Sequence, residues 1–308
     1  TISISHFHLS MDTPLLVTQI PITTEELHIF YRIERELFCF LIFKLHYEVT
    51  QSLLVMALWL WLEKIGYHNL VHKVAVLQGT LINALVSEAL TCLQFLERDD
   101  PPIPIGGGLP LTKMLMKKNI SLEMFTLKRY TAITGIKIAL NNTCARVFND
   151  VLQIALKRKI IIETRGFTTS RTHAHNTTLI LPGFPHPLFG SFDLVPRIEN
   201  IGLSHESIWI QKKPYDDATN DDKSLFLTFS RGFPVSEMEV RYLFNTNYGD
   251  CVQSLIMGGN HVKNDQPLFA IMVLKMVEIV DQILSGKRVA KLHINGKHIW
   301  ARKYEPRP

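Results

Sequence analysis

Aromatic and cationic side chains alternate near the end of the sequence, where Trp300 and Tyr304 enclose Arg302 and Lys303. Lysine and arginine neutralise phosphates, and an exposed aromatic ring stacks on an unpaired base. Residues 221–308 carry twelve cations and nine anions, which gives this part of the chain a net charge of +3. The grouping is therefore suited to contacts with a nucleic-acid backbone and its bases.

A folded unit must position these side chains, and residues 224–304 predict one. Three segments alternate as strands, two segments have a capping box or i, i+3, i+4 spacing typical of helices, and a tight turn precedes a last strand. The predicted order is β-α-β-β-α-β, over residues 225–229, 236–244, 251–257, 268–274, 276–284 and 294–304. This order predicts a ferredoxin-like fold.

The strands of this unit resemble those of an RNA-recognition motif, abbreviated RRM. The segment Leu225–Leu227 matches the aliphatic-aromatic-aliphatic pattern of the family's first strand. The segment Pro267–Leu274 aligns with the third-strand motif and keeps its first aromatic residue as Phe269. It departs from the motif at Pro267, where the family has a cation, and at Ile271, where the family has a second stacking aromatic.

The resemblance implies that single-stranded RNA binds on one face of the sheet. Phe226 and Phe269 would stack bases, and each stacked base contributes about 1–3 kcal/mol. Lys263, Arg302 and Lys303 would contact phosphates. Thr228, Trp300 and Tyr304 would contribute further contacts at the sheet edge, and Ile271 occupies the position of the family's second stacking aromatic. The complete predicted RNA-binding set is Phe226, Thr228, Lys263, Phe269, Ile271, Trp300, Arg302, Lys303 and Tyr304.

The N-terminal part of the chain is predicted to be mostly helical. Thr23 and Glu26 have capping-box spacing, and apolar residues then recur at helical steps. The segment Leu53–Leu62 is apolar on every side but, at ten residues, is too short for the roughly 20 that a bilayer requires. It is therefore predicted to be a core helix. A second helical stretch is predicted from Leu122 to Leu156.

The whole chain resembles a group of plant proteins that join an N-terminal helical region to a C-terminal RRM. The residues that carry this resemblance are Ile20–His28 and Met56–Glu63. The resulting domain prediction is a helical domain over residues 22–163, a linker over residues 164–223 and an RRM-like domain over residues 224–304. The predicted fold class is α+β. The resemblance implies RNA binding by the C-terminal domain and names no RNA target.

The departures from the motif also favour a second hypothesis. In it the protein is a non-catalytic adaptor whose degenerate RRM no longer binds RNA and instead binds a protein partner through its sheet or helices. The helical domain would offer a second docking surface. Salt dependence separates the two hypotheses. Phosphate contacts weaken steeply with ionic strength, whereas an apolar protein interface is much less sensitive.

Composition and motifs exclude other classes of function. The chain of 308 residues has a net charge of +5, which permits a polyanionic partner without requiring one. It lacks a nucleophile elbow, a Walker loop and a dinucleotide fingerprint, so the sequence predicts no enzyme and no cofactor. Its histidine pairs lack companions at zinc-site spacing, so no metal site is predicted. These pairs are His6 with His8, His173 with His175, and His293 with His298.

The cysteines bear on the compartment. Cys39, Cys92, Cys144 and Cys251 lie far apart in apolar runs, which is typical of buried, unbridged thiols and favours a reducing environment. The sequence shows no recognisable secretory leader. The protein is therefore predicted to be nuclear or cytoplasmic, without a choice between the two, and neither secreted nor bound to a membrane.

Overall fold

The structure is a computed structural model that describes residues 23–98, 102–164, 181–192, 217–258 and 266–306. These residues form an α+β protein, as predicted, with helices in the N-terminal part and an antiparallel sheet in the C-terminal part. The N-terminal helices are α1 (Thr24–Phe30), α2 (Arg32–Phe43), α3 (Val49–Lys64), α4 (Leu70–Ala75), α5 (Gly79–Glu97), α6 (Pro110–Met116), α7 (Leu122–Leu127), α8 (Arg129–Ile138), α9 (Ala145–Val147) and α10 (Asn149–Thr164). The C-terminal elements are β1 (Ser224–Phe229), α11 (Glu237–Tyr248), β2 (Val252–Gly258), β3 (Phe269–Leu274), α12 (Val277–Leu284), β4 (Val289–Ile294) and β5 (Lys297–Lys303).

Helix α3 is at the centre of the helical unit, by which we mean residues 23–164 together with residues 181–192. Every residue from Ser52 to Leu62 is buried, which confirms the prediction of a core helix. Such a helix is stable in water only when neighbours cover all of its sides. Helices α2, α4, α5 and α8 provide this cover. The predicted capping box at Thr23 and Glu26 is also confirmed and begins α1.

Helices α3 and α8 approach each other closely at Gly135. A Cβ atom added to Gly135 would lie only 2.0 Å from Cδ1 of Trp61. Trp61 is fully buried, and its ring centroid is 5.9 Å from that of Phe125. The indole therefore occupies the space that any side chain at position 135 would need.

Carboxylates from neighbouring helices cap the first turns of short helices. Glu88 of α5 accepts hydrogen bonds of 2.8 Å from the backbone N–H groups of Leu111 and Thr112 at the start of α6. Glu63 of α3 accepts a bond of 2.9 Å from the N–H of Val71 in α4. Burial raises the pKa of Glu63. Because the first N–H groups of a helix have no partner inside it, these carboxylates fix where the short helices start.

The predicted helical stretch from Leu122 to Leu156 is divided in the structure. Helices α7 and α8 meet at Lys128, whose ψ of 33° departs from helical geometry. A π-helical segment, Ala139–Cys144, then follows α8. Hydrophobic spacing is preserved across such interruptions, so the sequence pattern predicts the helical content but not the breaks.

Part of the segment predicted as a linker packs against the helical unit. Leu181, Phe189 and Phe192 are buried in its hydrophobic core. Residues 165–180 and 193–216 lie outside the described residues. The structure thus adds residues 181–192 to the helical core.

The C-terminal unit, residues 217–306, contains a five-stranded antiparallel sheet in the order β2-β3-β1-β5-β4. Helices α11 and α12 cover one side of it and share a hydrophobic core with the strands. The capping box predicted at Ser236 and Glu239 begins α11. One element was not predicted: β4 precedes the turn at Asn295 and Gly296, so two strands follow α12 where one was expected. The ladder that β4 makes with β5 widens the sheet.

The two units contact each other through α8 and α12. The Asp281 carboxylate of α12 accepts hydrogen bonds from the backbone N–H groups of Tyr130, at 3.0 Å, and Thr131, at 2.8 Å. Nearby, the Lys137 ammonium donates to the Asp222 carboxylate at 2.7 Å. A side chain of the C-terminal unit therefore caps a helix of the helical unit.

Among the described helices, α5 is long and apolar enough to cross a bilayer by length and composition. Its residues Leu85, Cys92 and Leu96 are buried in the core of the helical unit. This burial is what a helix inside a bundle requires.

All four cysteines are free thiols, as predicted. Cys92, Cys144 and Cys251 are buried, and Cys39 is half-buried. Burial raises the pKa of the Cys92 and Cys144 thiols, which opposes formation of the reactive thiolate.

Candidate functional site

The sheet presents a second face on the side opposite α11 and α12. Along β1, Leu225 and Leu227 point into the core, so Phe226 and Thr228 point to the other side. The antiparallel registers extend this surface across the neighbouring strands. We call it the outer face, and it comprises Phe226, Thr228, Ile256, Phe269, Ile271, Lys291, His293, His298, Trp300 and Arg302.

Six of the predicted site residues come together on this face. Phe226 lies opposite Ile271 of β3 and Arg302 of β5. One pair further along, Thr228 lies opposite Phe269 and Trp300. The sequence placed Thr228 and Trp300 at the sheet edge, which is wrong. Strand β1 lies between β3 and β5, and β5 lies between β1 and β4, so both residues are central.

Phe226 and Phe269 form a pair of nearly parallel rings. Their centroids are 5.4 Å apart and their planes differ by 19°. Phe269 retains 38% of its surface exposed to solvent. Its ring lies directly over Gly258 of β2, where an added Cβ would be 2.2 Å from ring atoms Cε2 and Cζ. Gly258 thus allows the ring to lie flat on the sheet.

Arg302 covers part of the Phe226 ring. Its guanidinium carbon is 4.6 Å from the ring centroid, within the range of a cation–π contact. The arginine side chain is itself exposed and lies on the central strand β5. This arrangement places a planar cation over the Phe226 ring, which in turn stacks against Phe269.

A further group of side chains on the outer face belongs to the β4–β5 hairpin. The His298 ring centroid is 4.3 Å from that of His293 and 5.9 Å from that of Trp300. The Lys291 ammonium is 5.9 Å from the Trp300 centroid. Lys291 and the two histidines are not among the predicted site residues, because the predicted element order contains no strand at β4. The signal was present, since Asn-Gly between alternating segments is a strong hairpin pattern.

Three predicted site residues are not part of this group. Lys303 alternates with Arg302 and therefore points away from the outer face. Its ammonium donates to the backbone carbonyls of Asp221 and Ser224, and burial lowers its pKa to about 8. Tyr304 follows β5, where its N–H donates to the Ser224 carbonyl at 3.1 Å. Lys263 lies outside the described residues.

The histidine pair does not extend to a metal cluster within the described ranges, where no group of three or more His, Cys, Asp or Glu side chains converges. The chemistry that the outer face offers is therefore aromatic and cationic.

Comparison of the chain with protein-family models, with characterised proteins and with solved structures finds no match.

Proposed function

We propose that the C-terminal unit is a ferredoxin-like RNA-recognition module that binds single-stranded RNA on its outer face. The observation that carries this proposal is the stacked Phe226–Phe269 pair on adjacent central strands. Phe269 is exposed, whereas Phe226 is half-buried and has Arg302 over its ring. Two helices on one side of the sheet and paired rings on the other are the arrangement that RRMs use. The strand order β2-β3-β1-β5 around these rings is consistent with that arrangement.

Stacking supplies the first part of the binding free energy. Phe269 offers an exposed ring face to one base, and each stacked base contributes about 1–3 kcal/mol. A second base stacks on the Phe226 side, where the Arg302 guanidinium provides a planar cationic surface. Stacking tolerates any base, so this platform alone gives affinity with little sequence preference.

Replacement of both rings by alanine tests the platform. Phe226→Ala with Phe269→Ala is expected to raise the Kd for single-stranded RNA by roughly 30-fold, equivalent to about 2 kcal/mol, because stacked bases lose their support. The measurement is fluorescence anisotropy of the full chain with a labelled pool of short RNAs. Tyr242→Ala is the matched control, since Tyr242 is 70% exposed on α11, on the other side of the sheet. An unchanged Kd in the double variant contradicts the proposal.

Phosphate neutralisation supplies the second part of the binding free energy, and Arg302 is the cation best placed to contact a phosphate. For single strands, the logarithm of the binding constant falls with that of the salt concentration by about 0.7 per phosphate contact. Arg302→Gln is therefore expected to weaken binding and to reduce this slope by about 0.7. Arg241→Gln on α11, where Arg241 pairs with Glu237 at 2.8 Å, is the control and should leave the slope unchanged.

The same titrations address the adaptor hypothesis. If the folded wild-type chain shows no salt-sensitive binding to any RNA in the pool, the RNA-binding proposal fails. The exposed apolar side chains on the outer face, with Ile256 exposed by 63%, would then favour a protein ligand.

A further inference from the structure

The β4–β5 hairpin carries its own row of rings on the outer face. His293, His298 and Trp300 follow one another, with centroid distances of 4.3 Å and 5.9 Å. We call these three residues the His–Trp row. It lies beside the Phe226–Phe269 pair, since Trp300 and Phe269 both lie opposite Thr228.

Backbone pairing fixes the geometry of this row. His293 lies directly opposite His298, and Lys291 lies opposite Trp300. Buried Ala290 alternates with these side chains and holds β4 on the core. The connecting turn has positive φ angles at Asn295, 48°, and Gly296, 76°, as a two-residue hairpin with the natural strand twist requires. The rings are thus ordered before any ligand arrives, which reduces the entropy cost of binding.

The chemistry of the row suits a base. Desolvation and the charges of Lys291 and His293 lower the pKa of His298, which favours the uncharged form of its planar ring. Trp300 has the largest ring of the row and is half-buried, and the Lys291 ammonium is 5.9 Å from its centroid. An alternation of stacking rings with a cation is the pattern that tracks single-stranded nucleic acid.

We propose that the His–Trp row is a second stacking platform, which binds further nucleotides of the same RNA strand. This inference rests on the proposed RNA-binding function. The binding surface then crosses β3, β1, β5 and β4, which corresponds to about 14 Å at the usual strand spacing. Aromatic residues of β1 and β3 alone stack two or three bases, so the second platform makes affinity increase with RNA length beyond that number.

The test compares a probe of about three nucleotides with one of about eight, chosen to occupy one or both platforms. For the full chain with His293→Ala and His298→Ala, the Kd of the long probe is expected to rise about tenfold. The Kd of the short probe should stay within about twofold, because the Phe226–Phe269 pair is intact. His68→Ala, an exposed histidine of the helical unit, is the control.

The outcomes separate this inference from the proposed function. In one outcome, Phe226→Ala with Phe269→Ala abolishes binding of both probes, while the double His→Ala variant binds the long probe as tightly as the wild-type chain. This outcome overturns the second platform and leaves the RNA-binding proposal intact. If the wild-type chain binds neither probe, both proposals fail. His293→Phe with His298→Phe keeps the rings without the nitrogen atoms. If this Phe variant retains affinity for the long probe, stacking by the row is supported. If its affinity falls as far as that of the double His→Ala variant, the second stacking platform is overturned.

Discussion

Gly135→Ala is expected to lower the free energy of unfolding of the helical unit by about 3 kcal/mol, the upper part of the range for overpacked cores. The added Cβ would lie 2.0 Å from Cδ1 and 2.2 Å from Nε1 of Trp61, far inside van der Waals contact. Trp61 is fully buried and has no room to withdraw, so α3 and α8 must separate. Alanine favours a helix by about 1 kcal/mol over glycine, which is too little to offset this separation. Urea denaturation followed by circular dichroism measures the change.

The matched control is another helical glycine. An added Cβ at Gly79, the first residue of α5, would meet Cζ of Phe40 at 3.4 Å, the limit of an ordinary contact. Gly79→Ala is therefore expected to keep or slightly raise stability. If Gly135→Ala is as stable as Gly79→Ala, the close approach of α3 and α8 is not as described.

The Asp281 carboxyl is expected to make stability depend on pH in an unusual direction. Its side chain is buried, and burial raises its pKa from 3.8 to about 6, although the N–H groups of Tyr130 and Thr131 oppose this rise. A raised pKa in the folded state stabilises the protein below pH 3.8, and this contribution is lost as the pH rises through about 6. The difference between the folded-state and unfolded-state pKa values corresponds to about 3 kcal/mol of unfolding free energy.

Asp281→Asn removes the titrating group. Between about pH 4 and pH 7, the unfolding free energy of the wild-type chain is expected to fall by about 3 kcal/mol relative to this variant. Glu239→Gln is the comparison. Its hydrogen bond from Lys297 lowers the pKa of Glu239 to about 2, so its contribution is present above pH 4.5 and is lost only as the pH falls towards about 2. A parallel pH dependence of the wild-type chain and Asp281→Asn would show that Asp281 is not desolvated.

Local patterns in the sequence predict much of the fold. The capping boxes at Thr23 and Ser236 start helices where expected, and the apolar run in α3 is interior. Alternation separates Phe226 from Leu225 and Leu227, and the resemblance to the RRM strand motifs places Phe226 and Phe269 on one face, as the register has them. Each of these inferences depends on residues that are close in the sequence or on a regular strand pattern.

Other features depend on contacts that no local pattern contains. Asp281 caps a helix 151 residues away from it along the chain, measured to Tyr130. Gly258 is required only because the Phe269 ring lies over it. Lys303 is a different case, because a local pattern already predicts where its side chain points. Alternation with Arg302 predicts that the two side chains point to opposite faces, whereas the predicted phosphate contacts group the two residues by charge alone.

The contact at Asp281 also determines where the chain can be divided. A fragment that begins at residue 217 exposes to water a carboxylate that is 6% exposed in the whole chain. The complementary fragment leaves the N–H groups of Tyr130 and Thr131 without their acceptors. Each fragment thus exposes polar groups whose hydrogen-bond partners lie on the other fragment. Domain dissection, the usual first step with a small module, here removes a helix cap from one half of the molecule and a set of donors from the other.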